Sequence, residues 1–331
     1  MDTRTLFRRL ARSRWVGIGI TLAVLLAWLL FLRGQLDALR EYEWQIAPLA
    51  FGVSVVWGAI YFVGLAFCWA LLLRHVGRAE THVAIAPAAR IWLSSMMTRY
   101  IPGNIWHVLS RVALARKLHV SATHILTSAS VEQVLTLLGA LSLFGITLPF
   151  WSITPDTTQV WLLLLVPIGL LLLHPRIFGT LLSWAAKRLQ RPELAWEYTY
   201  GELLLILLTY SGATLFSGLA LFTVLWGLAT VQLSQVLLVV GAAALAWAVG
   251  YLSFLTPSGL GVREALLVAL LAQIYPLPVA IVASLLFRMV LTLGELLAVG
   301  VGMGYARIGL LLRGKRDGDE RTPSVEGEPS Q

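Results

Sequence analysis

The chain has 331 residues, of which 58% are hydrophobic and only 13% charged. Soluble proteins carry roughly 25% charged residues, so this composition excludes a mainly soluble fold and points to an all-α polytopic membrane protein. The net charge of +8 is gathered in short clusters beside apolar runs, which argues against a nucleic-acid partner, and the single cysteine, Cys68, excludes a disulfide framework and a thiolate metal cluster.

Residues 1–14 hold Arg4, Arg8, Arg9, Arg12 and Arg14 and read as a basic cytoplasmic N-terminus. The first apolar run, 15–32, is longer than a signal-peptide core, lacks small residues at a cleavage site and runs into Arg33, so it predicts a retained helix. Further spans of about 20 apolar residues are predicted at 47–73, 122–150, 159–173, 202–228, 234–256 and 279–305. Two weaker segments, 83–115 and 257–278, each contain a proline–glycine interruption. Together 15–306 form one transmembrane domain, with break 1 at 99–107 and break 2 at 256–264. Residues 176–191 mix apolar and basic positions as a helix lying in the cytoplasmic interface does. The tail 307–331 is cytoplasmic, and from about 317 its acidic, turn-rich composition predicts disorder.

The basic residues set the orientation. Twenty of the 25 Lys and Arg fall at the N-terminus, in 74–90, 111–117 and 174–191, and from 307 onward. The opposite loops 33–46, 151–158 and 229–233 hold only Arg33 and Arg40. Both termini are therefore expected in the cytoplasm, and 83–115 must dip into the membrane and return, as a re-entrant element. If 234–256 and 257–278 each cross, the chain has eight spans; if they form a second re-entrant hairpin, it has six. Both counts leave the C-terminus inside. In the six-span version the two hairpins enter from opposite faces, as in transporters built from inverted repeats.

At break 1, Pro102 ends any helix arriving from Ile91, Gly103 permits the turn, and Asn104 is suited to cap a helix starting at Ile105. At break 2, Thr256 can cap a helix with Pro257 at its first position, or Ser258 can cap instead, while Gly259 and Gly261 let another backbone or a lipid headgroup come close. Each break creates a helix N-terminus, which favours anions, and Arg263 one turn on adds a bidentate phosphate or carboxylate binder. Arg263 and Glu264 are about 100° apart on a helix and so need different partners. The plainer reading of both breaks is a pair of surface loops with turn-forming glycines.

Several ionisable residues lie in or beside the apolar runs: Arg99, Arg263 and Arg288 against Glu132, Glu264 and Glu295, with His107 near break 1 and Glu202 at a span edge. A charge near the bilayer centre costs about 2.5–3.5 kcal/mol on insertion scales, so each needs a partner or a wet cavity. Ser284, Arg288, Thr292 and Glu295 fall on one helix stripe, and so do His124, Ser128, Glu132 and Thr136. Both stripes should face the bundle interior. Arg288 and Glu295 are about 10 Å apart along the axis and cannot pair with each other. Three arginines and three glutamates balance to zero, so ion pairs that only fix packing use the same residues.

At the two breaks the sequence resembles the flippase-like transmembrane family, the membrane domain of lysylphosphatidylglycerol synthases and its stand-alone relatives. The matching features are Arg99, Tyr100, Ile101, Pro102 and Gly103 with Trp106 and Arg111, then Glu132 and Gln133, then Pro257, Gly259, Gly261, Arg263 and Glu264. The likeness spans roughly 15–310. Ser258 departs from the pattern, standing where the family often has a further glycine. About 25 mostly polar residues follow the last span instead of an aminoacyl-transferase domain, so lipid aminoacylation is not expected of this chain. The resemblance implies movement of a lipid between leaflets of the plasma (inner) membrane.

The expected function is a lipid flippase or translocase whose partner is a membrane lipid, its phosphate held in a polar cavity between the broken helices. Arg99, Arg263 and Arg288 would hold the phosphate, with the helix N-termini at 104 and 258 and His107 assisting. Glu132, Glu264 and Glu295 would position the arginines, meet a cationic headgroup or take up a proton. One alternative is a membrane-embedded transferase on a lipid-linked substrate. Against it, the longest outer loop offers only Asp37, Glu41 and Glu43, and no catalytic, metal or cofactor motif stands out. The other is a non-transporting scaffold for an envelope-synthesis protein partner.

Overall fold

The computed structural model describes residues 26–27, 29–31, 33–44, 46–76, 83–100, 106–118, 120–151, 165–188, 199–253, 259 and 261–319. The basic segment 1–14, most of the expected first span, the start of the one expected at 159–173 and the tail from 320 lie outside the described residues, as do Pro102, Gly103, Asn104, Thr256, Pro257 and Ser258.

Every regular element among the described residues is helical. A short α1, Leu36–Glu41, precedes α2, Pro48–Val76. Then come α3, Ile85–Met96, a 3-10 turn Met97–Tyr100, and α4, Trp106–Ala115. Next are α5, Ala122–Thr147, α6, Leu165–Leu172, α7, Pro175–Arg188, and α8, Tyr200–Trp226. The chain continues through α9, Val236–Leu252, and α10, Val262–Leu271, to α11, Leu277–Asp319.

Among the described residues, five helices are long and apolar enough to cross a membrane: Pro48–Arg74, Ala122–Phe150, Tyr200–Trp226, Leu233–Leu252 and Leu277–Gly304. The protein is therefore a multi-pass, all-α membrane protein. Lipid offers no hydrogen bonds to a backbone, so even β-branched runs such as those in α2 and α11 must satisfy their amides internally as helices. Polar caps begin two of the spans. Ser121 accepts the His124 amide at the start of α5, and at α8 Thr199 and Glu202 exchange side-chain and backbone hydrogen bonds. Glu202 is thus a helix cap. The last helix continues past the expected end at 305, to Asp319.

α8 is the central helix, packing on α2, α5, α9 and α11. Small residues set the spacing, as expected where apolar lipid gives no hydrophobic drive to associate. A Cβ on Gly218 would lie 2.7 Å from the Cα of Val240 on α9. One on Gly294 of α11 would lie 2.6 Å from the carbonyl carbon of Gly58 on α2, so the two backbones cross in contact. A buried hydroxyl pair, Ser54 with Thr223 at 2.7 Å, ties α2 to α8. α3 packs on α2, α4 and α11, while α10 packs on α9 and α11. Both broken segments therefore lean on the last helix.

Candidate functional site

The stripe on α11 faces inward: Ser284 and Glu295 are buried, and Arg288 and Thr292 are half-buried. Each of its two charges is matched from a different broken segment. Arg288 Nη1 donates to Glu264 Oε1 of α10, and Ser284 Oγ donates to the Glu264 carbonyl at 3.3 Å. Glu264 Oε2 accepts the Gly261 amide at 2.7 Å, so both carboxylate oxygens are used. Seven positions along, Glu295 Oε2 accepts Arg99 Nη2 at 2.8 Å. Arg99 comes from the 3-10 turn that ends α3. Arg99 and Arg288 each keep 39% of their side chains exposed, although their glutamates are nearly closed off at 2% and 8%.

Break 2 is built from glycine. The described α-helix after it starts at Val262 with Gly261 as N-cap, and the expected caps Thr256 and Ser258 lie outside the described residues. Gly261 has φ +85° and Gly259 φ +67°, both in the region L side chains avoid. Gly259 lies directly on α9: a Cβ there would meet the Gly250 carbonyl oxygen at 2.4 Å. Gly250 in turn leaves room for Arg263, whose Cβ would lie 2.9 Å from a Cβ at Gly250. Gly259 thus admits a neighbouring backbone as its close neighbour.

Arg263 differs from the other interior arginines. Its guanidinium carbon sits 5.8 Å from the centroid of the Phe287 ring, and its Nη2 is enclosed with no hydrogen-bond partner. It lies within electrostatic reach of Tyr61, Glu264, Arg288 and Arg99. Glu264, its sequence neighbour, is committed to Arg288, so the adjacent pair does face two ways. Tyr61, buried on α2, is within reach of Arg263, Arg99, Glu295 and Glu132, and so stands among the charges.

Glu132 belongs to a separate, closed cluster. Arg111, counted in 111–117 among the basic residues that set the orientation, is 1% exposed. Its Nη1 donates to Glu132 Oε2 and its Nε to Ser95 Oγ at 3.1 Å, and Trp92 Nε1 donates to Glu132 Oε1 at 2.6 Å. The guanidinium lies 5.1 and 5.2 Å from the ring centroids of Trp69 and Trp92. α2, α3, α4 and α5 are thus pinned together by one satisfied ion pair. Of the α5 stripe, Ser128, Glu132 and Thr136 are buried, whereas His124 is half-buried and bonds Ser121 at 2.7 Å. His107, half-buried in the first turn of α4, lies near Arg111 and Arg99, and its Nδ1 is enclosed without a partner.

The structure therefore places Arg263 within electrostatic reach of Glu264, Arg288 and Arg99, with Phe287 under its guanidinium and Tyr61 in electrostatic reach of Arg263, Arg99, Glu295 and Glu132, while Glu132 itself is held by Arg111. Sequence reasoning missed Arg111 and Tyr61. The available signal for the first was its place among the residues on which the expected family resemblance rested; nothing local marked the second. At the far end of the bundle a cavity of about 260 Å³ opens among Tyr42, Glu43, Gln235 and Tyr275, and it holds none of these arginines. There Tyr275 donates to Gln235 Oε1 at 2.8 Å, and burial pushes its phenol up to about 12. Among the described residues no three His, Cys, Asp or Glu side chains come together to hold a metal ion. No family model and no characterised protein matches the sequence.

Proposed function

We propose that the protein is a lipid flippase or translocase that receives a phosphate-bearing headgroup between its two broken segments while the acyl tails stay in the bilayer. The observation that carries this reading is Arg263: an interior guanidinium without a carboxylate, flanked by two arginines that remain partly open. An uncompensated charge at membrane depth is costly, which makes a ligand site or ion pathway its usual reason for being there. Non-helical backbone at that depth is tolerated only in protein or along a cavity.

The same reading takes the two broken segments as hairpins entering from opposite faces. α3 has 12 residues and α4 and α10 have 10 each, or about 15–18 Å of helix, roughly half of a 30 Å hydrocarbon core. The Tyr275–Gln235 hydrogen bond joins the segment just after α10 to the start of α9, which favours a return of α10 along α9. Counting α9, which is itself long enough to cross, as one arm of the second hairpin, and adding the first span and the one expected at 159–173, this reading has six crossings and an inverted pair of hairpins. The cytoplasmic placement of both termini and the plasma membrane location belong to this proposal.

The test is leaflet exchange of a fluorescent phospholipid in proteoliposomes, followed by dithionite quenching. The wild-type chain should speed exchange and Arg263→Ala should abolish it while keeping the elution profile of a folded protein. Equal exchange by both proteins, or none above protein-free vesicles across the common phospholipids, would remove the assignment.

A further inference from the structure

The interior charges of the described residues do not cancel. Four arginines, Arg99, Arg111, Arg263 and Arg288, stand against three glutamates, Glu132, Glu264 and Glu295, and each glutamate is held by one arginine. The extra positive charge is Arg263. The count differs from the sequence expectation because Arg111 is buried in the bundle.

We infer that the site takes a single monoanionic phosphodiester, in preference to a phosphomonoester dianion or a diphosphate. This rests on the reading of the cluster as a phosphate site and adds the charge class of its occupant. One negative charge brings the enclosed sum to zero. A second has no cation left to meet it unless Arg99 or Arg288 leaves its glutamate, and Glu295 and Glu264 would then stay buried without compensation. The geometry of the groups agrees. A guanidinium fork matches two non-bridging oxygens on one phosphorus. Arg263 presents its enclosed Nη2 without a partner, and Tyr61 lies within electrostatic reach of the same guanidinium. Arg99 and Arg288, each 39% exposed, add favourable field while keeping their own carboxylates.

The experiment is a binding titration on the full chain, purified in a neutral detergent and read by native mass spectrometry. The probes are dioleoylphosphatidylglycerol, dioleoylphosphatidic acid, farnesyl diphosphate and the soluble glycerophosphoglycerol. Phosphatidylglycerol should bind at one per chain, at least about tenfold more tightly than phosphatidic acid or the diphosphate at pH 8, where the monoester carries a second charge. Arg263→Gln should lower its affinity by about tenfold or more, and Arg263→Lys, which keeps the charge, should preserve the preference for it. Tighter binding of the dianions, or an Arg263→Gln protein that binds phosphatidylglycerol unchanged, overturns the inference. Equally tight binding of glycerophosphoglycerol, lost in Arg263→Gln, upholds the charge class and removes the lipid reading. Selective binding with no leaflet exchange likewise upholds the charge class and removes transport.

Discussion

Arg99 and Glu295, 196 residues apart in the chain, meet at 2.8 Å and fasten the first broken segment to the last helix. Only the glutamate is closed off; the arginine keeps 39% of its side chain open. The two ends of this bridge are therefore unequal, and so are the consequences of cutting it. Arg99→Ala strands a buried carboxylate and should cost about 3 kcal/mol, the lower end of the range for breaking buried pairs. Glu295→Gln leaves an arginine that already reaches open space and should cost less. Thermal unfolding of the two variants, followed by tryptophan fluorescence in detergent, checks the order. A larger loss from Glu295→Gln would place the exposed end of the bridge on the wrong residue.

The Arg111–Glu132 pair differs in having neither end open. Its residues are 1% and 4% exposed, and Trp92 and Ser95 complete its hydrogen bonds. Removing one partner, as in Arg111→Ala or Glu132→Ala, should destabilise by about 3–5 kcal/mol, whereas Arg111→Met with Glu132→Leu should recover most of that loss. If the paired apolar variant folds and still exchanges lipid, the cluster is architecture. Loss of exchange in a protein of normal stability would instead return Glu132 to the headgroup site.

Much of the fold was legible because bilayer physics leaves few options. The runs behind α2, α5, α8 and α11 are apolar, long and bounded by polar residues, and their helices fall within a few residues of expectation except at the C-terminal end of α11. The inward stripe Ser284, Arg288, Thr292 and Glu295 was legible too, since helical spacing fixes a face. The partners of those residues were not. Glu264 lies 24 residues from Arg288, and Arg99 lies 196 from Glu295. No local rule connects them. The burial of Arg111 was hidden for a related reason: with Arg116 and Lys117 beside it, the segment reads as a run of surface charges. Its burial depends on Trp69, Trp92, Ser95 and Glu132, which arrive on three other helices.

The contact of Gly259 with Gly250 makes break 2 intolerant of a single methyl group. Gly259→Ala meets the Gly250 carbonyl oxygen at 2.4 Å and must also hold a φ of +67°. The conformation alone costs about 1–2 kcal/mol, and the clash adds to it by pushing α10 away from α9. Gly212→Ala is the control, because a Cβ there meets nothing within 4 Å. In mid-helix that change should stabilise by up to about 1 kcal/mol. Opposite shifts in unfolding temperature are expected, and equal shifts would mean that Gly259 is not pressed on α9 in the membrane.

Arg263 should behave unlike every other interior arginine. Removing Arg99, Arg111 or Arg288 strands a carboxylate, but removing Arg263 strands nothing, because no glutamate depends on it. A charge at membrane depth costs about 3 kcal/mol, and the Phe287 ring 5.8 Å away returns about 1 kcal/mol through its π face. The cost is the larger of the two. Arg263→Met, which keeps the length of the stem, is therefore expected to raise the stability of the lipid-free protein by about 2 kcal/mol. The same variant should lose the stabilisation that added phosphatidylglycerol gives the wild type, since ligand binding raises stability only where the site survives. A ligand-binding charge shows this opposition of stability and function, and a packing charge does not. Unfolding curves of both proteins, with and without the lipid, separate the two. A less stable Arg263→Met protein that still responds to the lipid would make Arg263 a structural residue.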